Sequence, residues 1–177
     1  MSTAVTATST RHVVIDSPIG PLTLVRDDDG LTGLYYPGHW TRPDQASFGP
    51  RVEPSDDRGF DEAIAQLGEY FAGERREFDL PLNPVGSRRA RRLWQLLAEI
   101  PYGRTTTYGA LARRIGDGIS PRAIGGFVGH NPLSIFIPCH RVVGSTGKLT
   151  GYAGGLDRKQ YLLELEGAIP VAPQALW

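Results

Sequence analysis

One cysteine, Cys139, and one methionine are all the sulfur that the 177 residues contain. A single thiol excludes an internal disulfide, so nothing argues for export, and it excludes a cysteine-rich zinc site. No apolar run approaches the roughly 20 residues that a membrane-spanning helix needs. The first ten residues, Met1 to Thr10, have no basic start and no secretory apolar stretch; they are expected to be a disordered tail. Net charge is missing too, with 19 Lys/Arg against 19 Asp/Glu. Taken whole, that balance argues against a nucleic-acid partner. Its distribution argues the reverse. Residues 1–85 hold seven Lys/Arg and 14 Asp/Glu, whereas residues 86–177 hold twelve and five. Phosphate binding requires local positive potential rather than a basic whole.

Hydrophobic residues make up 40% of the chain, enough for a packed core. Over residues 11–36, apolar runs at Val13–Ile15, Leu22–Val25 and Leu31–Tyr35 are split by Pro18-Ile19-Gly20-Pro21 and Asp27-Asp28-Asp29-Gly30. They predict hairpin strands. Residues 37–58 are rich in Pro, Gly and Asp and read as a long loop. Helical spacing returns at Ile64, Leu67, Tyr70 and Phe71 and stops at Gly73. Pro81 and Pro84 mark a linker over 81–86.

The basic half opens with Leu93, Trp94, Leu96, Leu97 and Ile100 at helical spacing. Thr107 then reads as the N-cap of a helix with Tyr108, Leu111, Ala112 and Ile115 on its apolar face, closed by Gly116. Ser120-Pro121 starts the next helix, which runs to about His130. Two short helices across a tight turn predict a helix-turn-helix. Gly125-Gly126 sits inside the second one, where each glycine costs about 1 kcal/mol relative to Ala. Either another helix packs closely there, or a ligand does. Arg122 in the first turn opposes the helix dipole and, with the basic half, favours a nucleic-acid groove.

Cys139 lies in Ile137-Pro138-Cys139-His140-Arg141-Val142. The apolar run Ile135-Phe136-Ile137 reads as a short buried strand that Pro138 stops. A lone cysteine is usually an inert small hydrophobe, but a thiolate beside a histidine base is a strong nucleophile. A last helix is expected from Asp157 as N-cap to Glu166, with Leu156, Tyr161, Leu162 and Leu165 as its stripe. Glu166 falls four residues after Leu162, on the inner face, where a carboxylate needs a partner. His140 is the candidate; the alternative is that Glu166 frays into solvent.

These motifs, in order and spacing, resemble the O6-alkylguanine-DNA alkyltransferases (methylated-DNA–protein-cysteine methyltransferases). The matching residues are Ile100-Pro101-Tyr102-Gly103, Thr107-Tyr108-Gly109, Arg122-Ala123-Ile124-Gly125, Asn131-Pro132, Pro138-Cys139-His140-Arg141-Val142, Gly151-Tyr152-Ala153-Gly154-Gly155 and Glu166-Gly167. Asp16-Ser17-Pro18-Ile19-Gly20-Pro21-Leu22 is a weaker match to the family's first strand. The resemblance implies an α/β (α+β) fold. A disordered tail over 1–10 would precede an RNase H-like strand-rich domain over 11–80. After the linker, a mostly helical DNA-binding and alkyl-acceptor domain would span 87–168, with a second tail over 169–177. Some relatives carry an N-terminal zinc, for which this chain lacks the cysteines.

The resemblance also implies roles. Cys139 would accept the alkyl group, His140 would be the base through a water, and Glu166 would orient His140. Asn131 would brace the turn carrying the cysteine. The Tyr108 hydroxyl would donate to a ring nitrogen, the Ala153 amide to O6, and the Val142 carbonyl would accept from the exocyclic amine. Tyr152 would wall the pocket, with Gly154 and Gly155 letting its loop close. Arg122 would fill the place of a base flipped out of the duplex. Gly125, Gly126, Phe127 and Arg141 complete the expected DNA-binding set, with the recognition helix in the minor groove of double-stranded DNA. No cofactor or metal is implied. A cytoplasmic monomer, nucleoid-associated when bound, is implied, with cooperative binding on DNA left open.

The sequence departs from the family in two places. Residues 86–90, Gly-Ser-Arg-Arg-Ala, replace a Thr and a Phe-Gln pair, and Arg88, Arg89, Arg91 and Arg92 add charge there. Phe127 replaces a small residue. Two other classes remain open: a Cys-His-Glu hydrolase, and a helix-turn-helix regulator that would leave Cys139 and Glu166 idle.

Overall fold

The computed structural model describes residues 9–170. The expected tails over 1–10 and 169–177 lie almost wholly outside the described residues. Strands β1 (Arg11–Ile15), β2 (Leu22–Arg26) and β3 (Leu31–Tyr35) form one antiparallel sheet in the order β1-β2-β3. Val13, Leu24 and Leu34 stand in one cross-strand row inside, Leu22 alternates with Leu24 on the same face, and Leu31 is buried beyond a register shift at Val25/Arg26. The 37–58 stretch is less open than a loop. It holds two 3-10 turns, Gln45–Phe48 and Pro54–Asp56, and buries Phe48. Helix α1 (Arg58–Phe71) follows, capped by the Asp57 carboxylate on the Gly59 amide. Residues 81–83 are pinned to β3: Leu31 N–H donates to the Pro81 carbonyl at 2.9 Å and Asn83 N–H to that of Leu31 at 2.7 Å.

Helices α2 (Arg88–Ala98), α3 (Tyr108–Ile115) and α4 (Pro121–Gly129) start at Ser87, Thr107 and Ser120. Each of these hydroxyls accepts the backbone N–H three residues on. Such caps contribute about 1 kcal/mol each. Helices α3 and α4 pack together and rest on α2. A short parallel pair, β4 (Thr106–Thr107) with β5 (Val142–Val143), ties the start of α3 to the segment after Cys139. Helix α5 (Leu156–Leu165) closes the fold.

One apolar core runs through both halves, from Val13 and Leu24 through Phe60 and Tyr70 to Leu93, Leu97 and Leu162. Two expectations about elements are corrected. Residues 135–137 are buried but are not a strand. They form turns, with Ile135 at φ 72°, and Cys139 opens a 3-10 turn over Cys139–Arg141. Asn131 explains the difference, because its side chain takes the hydrogen-bonding places of a strand partner. Its amide donates to the Ile137 carbonyl at 2.8 Å and its oxygen accepts from Leu133 N–H at 3.0 Å. The last helix is capped by Gly155 at φ 89°, not by Asp157, which sits in the first turn. Its buried stripe is Lys159, Leu162 and Leu163, while Leu156 is about half exposed.

Candidate active site

Cys139 is 4% exposed and lies at the wall of a cavity of about 220 Å³. Tyr108 of α3, Gly125, Val128 and Gly129 of α4, the loop residues Gly151, Tyr152 and Ala153, and Trp40 line this cavity with it. Burial pushes the Cys139 thiol above its ordinary pKa; Asn131, Lys159 and Ser134 pull it part of the way back. The resting sulfur is therefore a thiol, and a base must act when it reacts.

A candidate base is at hand. His140 is fully buried, and burial lowers its pKa against the opposing pull of Glu166, so the ring is neutral. Its Nε2 lies 2.7 Å from Glu166 Oε1. A carboxylate only accepts, so Nε2 carries the hydrogen and Nδ1 the lone pair. Nδ1 is buried without a partner. No hydrogen bond joins it directly to the thiol. A buried, unpaired acceptor beside a nucleophile invites a bridging water.

Glu166 does not fray; it is 5% exposed. Four donors converge on it: His140, the Tyr70 hydroxyl at 2.7 Å, and Arg141 through Nε and Nη2, both at 2.9 Å. Burial pushes its pKa up, but the hydrogen bonds from His140 and Arg141 outweigh it and hold the carboxyl at about 2. Glu166 is thus ionised, and the positive charge beside it belongs to Arg141.

Arg141, expected in the DNA-binding set, lies inside the fold. Its guanidinium is buried, bound to Glu166, donating to the Ile100 carbonyl at 2.6 Å and lying over the Tyr102 ring. Three of its five N–H donors are taken inside the fold, and burial holds the guanidinium against Glu166.

The remaining expected residues divide between pocket and surface. The Tyr108 hydroxyl accepts from Thr150 Oγ1 at 3.2 Å at the cavity edge. Tyr152 bonds the Tyr36 hydroxyl at 2.6 Å. Ala153 offers its carbonyl to Trp40 N–H at 3.0 Å, and its own N–H has no partner among the described residues. At Gly154 a Cβ would come within 2.5 Å of the Tyr36 ring, so only glycine lets this loop lie against β3's end. The Val142 carbonyl accepts from Lys159 Nζ at 2.6 Å, which still leaves a lone pair. Arg122 is exposed at the start of α4. A Cβ on Gly126 would meet nothing within 4 Å, so no neighbouring helix accounts for that glycine. Phe127 is half-buried and packs towards the core, with its carbonyl accepting from Trp94 Nε1 at 3.0 Å.

Sequence reasoning missed three residues here. Tyr70 carried only a core signal. Trp40 lay in a stretch read as loop. Lys159 is 0% exposed, and its Nζ donates to the carbonyls of Val142, Thr150 and Gly151 at 2.6, 2.8 and 3.3 Å. Burial lowers its pKa to about 8. Its spacing three residues before Leu162 placed it on the inner stripe; its charge disguised that.

Among the described residues, no group of three or more His, Cys, Asp or Glu could hold a metal ion, and no helix is long and apolar enough to cross a membrane.

Pocket, buried thiol and His-Glu pair together form a candidate cysteine-nucleophile site on a mixed α/β fold. Comparison with known proteins places it. Residues 88–168 match the model for the DNA-binding domain of 6-O-methylguanine DNA methyltransferase, and residues 10–84 match its ribonuclease-like domain. The chain belongs to the 6-O-methylguanine DNA methyltransferase family. The methylated-DNA–protein-cysteine methyltransferase of Mycolicibacterium paratuberculosis is 49% identical over 152 residues, covering 86% of this chain and 89% of that one. That of Methanosarcina acetivorans is 43% identical, covering 89% and 98%. The crystal structure of Mycobacterium tuberculosis OGT in complex with DNA superposes with a TM-score of 0.79 at 45% identity, covering 89% and 93%.

Proposed function

We propose that this protein repairs double-stranded DNA by moving the alkyl group of O6-alkylguanine onto Cys139. The observation that carries this reading is the paired state of the site. A neutral buried thiol borders a cavity, and beside it a neutral imidazole turns its lone pair away from an ionised Glu166. His140 Nδ1 takes the thiol proton through a water as sulfur attacks the alkyl carbon. The S–C bond forms and the C–O bond breaks, its electron pair leaving with the guanine. A proton passed from the Tyr108 hydroxyl to a ring nitrogen turns that anion into the carbonyl form, and the proton held by His140 makes good the one that Tyr108 gave. Glu166 stabilises the imidazolium that results.

The base sits between Tyr108 and Tyr152. The free Ala153 N–H donates to O6, the Tyr108 hydroxyl to a ring nitrogen, and the Val142 carbonyl accepts from the amine. Since a stacked base cannot reach a cysteine this deep, the base is flipped, and Arg122 fills its place. The exposed face of α4, with open space at Gly126, suits a minor groove. The protein binds as a monomer, and neighbouring copies on DNA are free to cooperate. Residues 11–80 and 87–168 act as scaffold and reaction domains. A thioether is not hydrolysed under these conditions, so each chain reacts once and needs no cofactor.

A Cys-His-Glu hydrolase would use the same residues with turnover. Titrating the protein against a duplex carrying one O6-methylguanine tests the reading. Loss of the methyl group from DNA should stop at one per chain. Continued loss with excess DNA would overturn the single-turnover reading, and no loss would overturn the activity.

A further inference from the structure

Among the exposed apolar side chains, Trp40 differs from Val85 and Leu156 in one respect: it lines the same cavity as Cys139. It comes from the acidic N-terminal half, in the segment that follows β3. Three contacts fix it there. Its N–H donates to the Ala153 carbonyl at 3.0 Å. Its ring stands edge-on to His130, with centroids 5.3 Å apart. It lies against Gly129, where a Cβ would come within 2.9 Å of the indole, so glycine is needed for the approach. Four residues earlier, Tyr36 bonds Tyr152. The N-terminal half therefore supplies one side of the pocket and braces another.

On the reading above, the Ala153 N–H binds O6, and Trp40 is tied to the carbonyl of that same residue. Trp40, Val128 and Gly129 line the same cavity as Cys139, the sulfur that the alkyl group must reach. We infer that Trp40 is a specificity-determining residue for the alkyl group, offering a flat apolar face to large substituents and above all to aromatic ones. A methyl group is too small to bury much area against the indole. A benzyl group packs on it as one aromatic ring packs on another. This inference rests on the proposed alkyl transfer to Cys139.

Single-turnover rates on duplexes carrying O6-methylguanine or O6-benzylguanine test it, using the full chain. Trp40→Ala should lower the benzyl-to-methyl rate ratio by about tenfold, and Trp40→Phe should keep most of it. A general defect in folding slows both substrates alike and leaves the ratio in place. Should Trp40→Ala melt below the assay temperature, Trp40→Gln keeps the length without the apolar face and carries the same expectation. A ratio that stays constant or rises in the variant would overturn the inference. Failure of the native chain to take either group on Cys139 would instead overturn the proposed function.

Discussion

Replacing Glu166 by Gln probes the site's internal logic, because the two side chains have the same shape. The carboxylate accepts from Tyr70, His140 and Arg141 Nη2 on Oε1, and from Arg141 Nε on Oε2. An amide oxygen can stand in for Oε1. The amide NH2 must then face the Arg141 Nε–H, donor against donor, and the buried guanidinium loses its counter-charge. Breaking a buried pair in this way costs about 3–5 kcal/mol. Linkage gives a similar figure. A folded pKa of about 2 against an ordinary 4.5 corresponds to about 3 kcal/mol. Because the folded pKa is depressed, this contribution is complete above pH 4.5 and is lost as pH falls towards 2. At neutral pH, Glu166→Gln should therefore lower the melting temperature by about 6–12 °C for a chain of this size. Chemistry should suffer as well. Without the anion, the imidazolium formed during transfer is less stable, and proton removal from Cys139 is harder. The single-turnover rate should drop at least tenfold and its profile should move to higher pH. Melts below pH 4.5 should bring the two proteins together. An unshifted profile with an unchanged rate would show that His140 works without Glu166.

Cys139→Ala should abolish alkyl transfer while binding to an alkylated duplex, followed by gel shift, stays within about threefold, since phosphate contacts dominate affinity. Arg122→Ala should slow transfer from duplex DNA more than transfer from free O6-benzylguanine; an equal loss would place Arg122 in the pocket or the fold. Lys159→Met removes the donor to three carbonyls. It should lower stability by about 3 kcal/mol, at 1–3 kcal/mol for each acceptor left dry, with a melt as the check. Gly126→Ala should raise the melting temperature slightly, because nothing lies within 4 Å of the added methyl. The same change should weaken DNA binding if the bare backbone of α4 faces the groove.

Much of this was readable from the chain because short-range signals set it. Thr107 and Ser120 cap their helices, Gly116 ends α3, and apolar runs between turn residues mark β1 to β3. Glu166 was legible as an inner-face carboxylate by helical period alone. The failures share a cause: tertiary contacts that carry no local signature. The run 135–137 looks like a strand, yet Asn131 turns it by bonding its backbone. The charges of Lys159 and Arg141 gave no sign of burial, but three carbonyls take Lys159 Nζ inside the fold, and Glu166 and the Ile100 carbonyl take Arg141. Trp40 reads as a loop residue because its partners, Ala153 and Gly129, lie far along the chain.

The central claim is that Cys139 itself takes the alkyl group, once. The most direct test is the mass of the intact protein, with peptide mapping, after exposure to excess duplex carrying one O6-methylguanine. The expected result is a gain of one methyl group per chain, confined to the peptide holding Cys139 and unchanged on longer incubation. A methyl group on another residue, or demethylated DNA with protein of unchanged mass, would contradict the account.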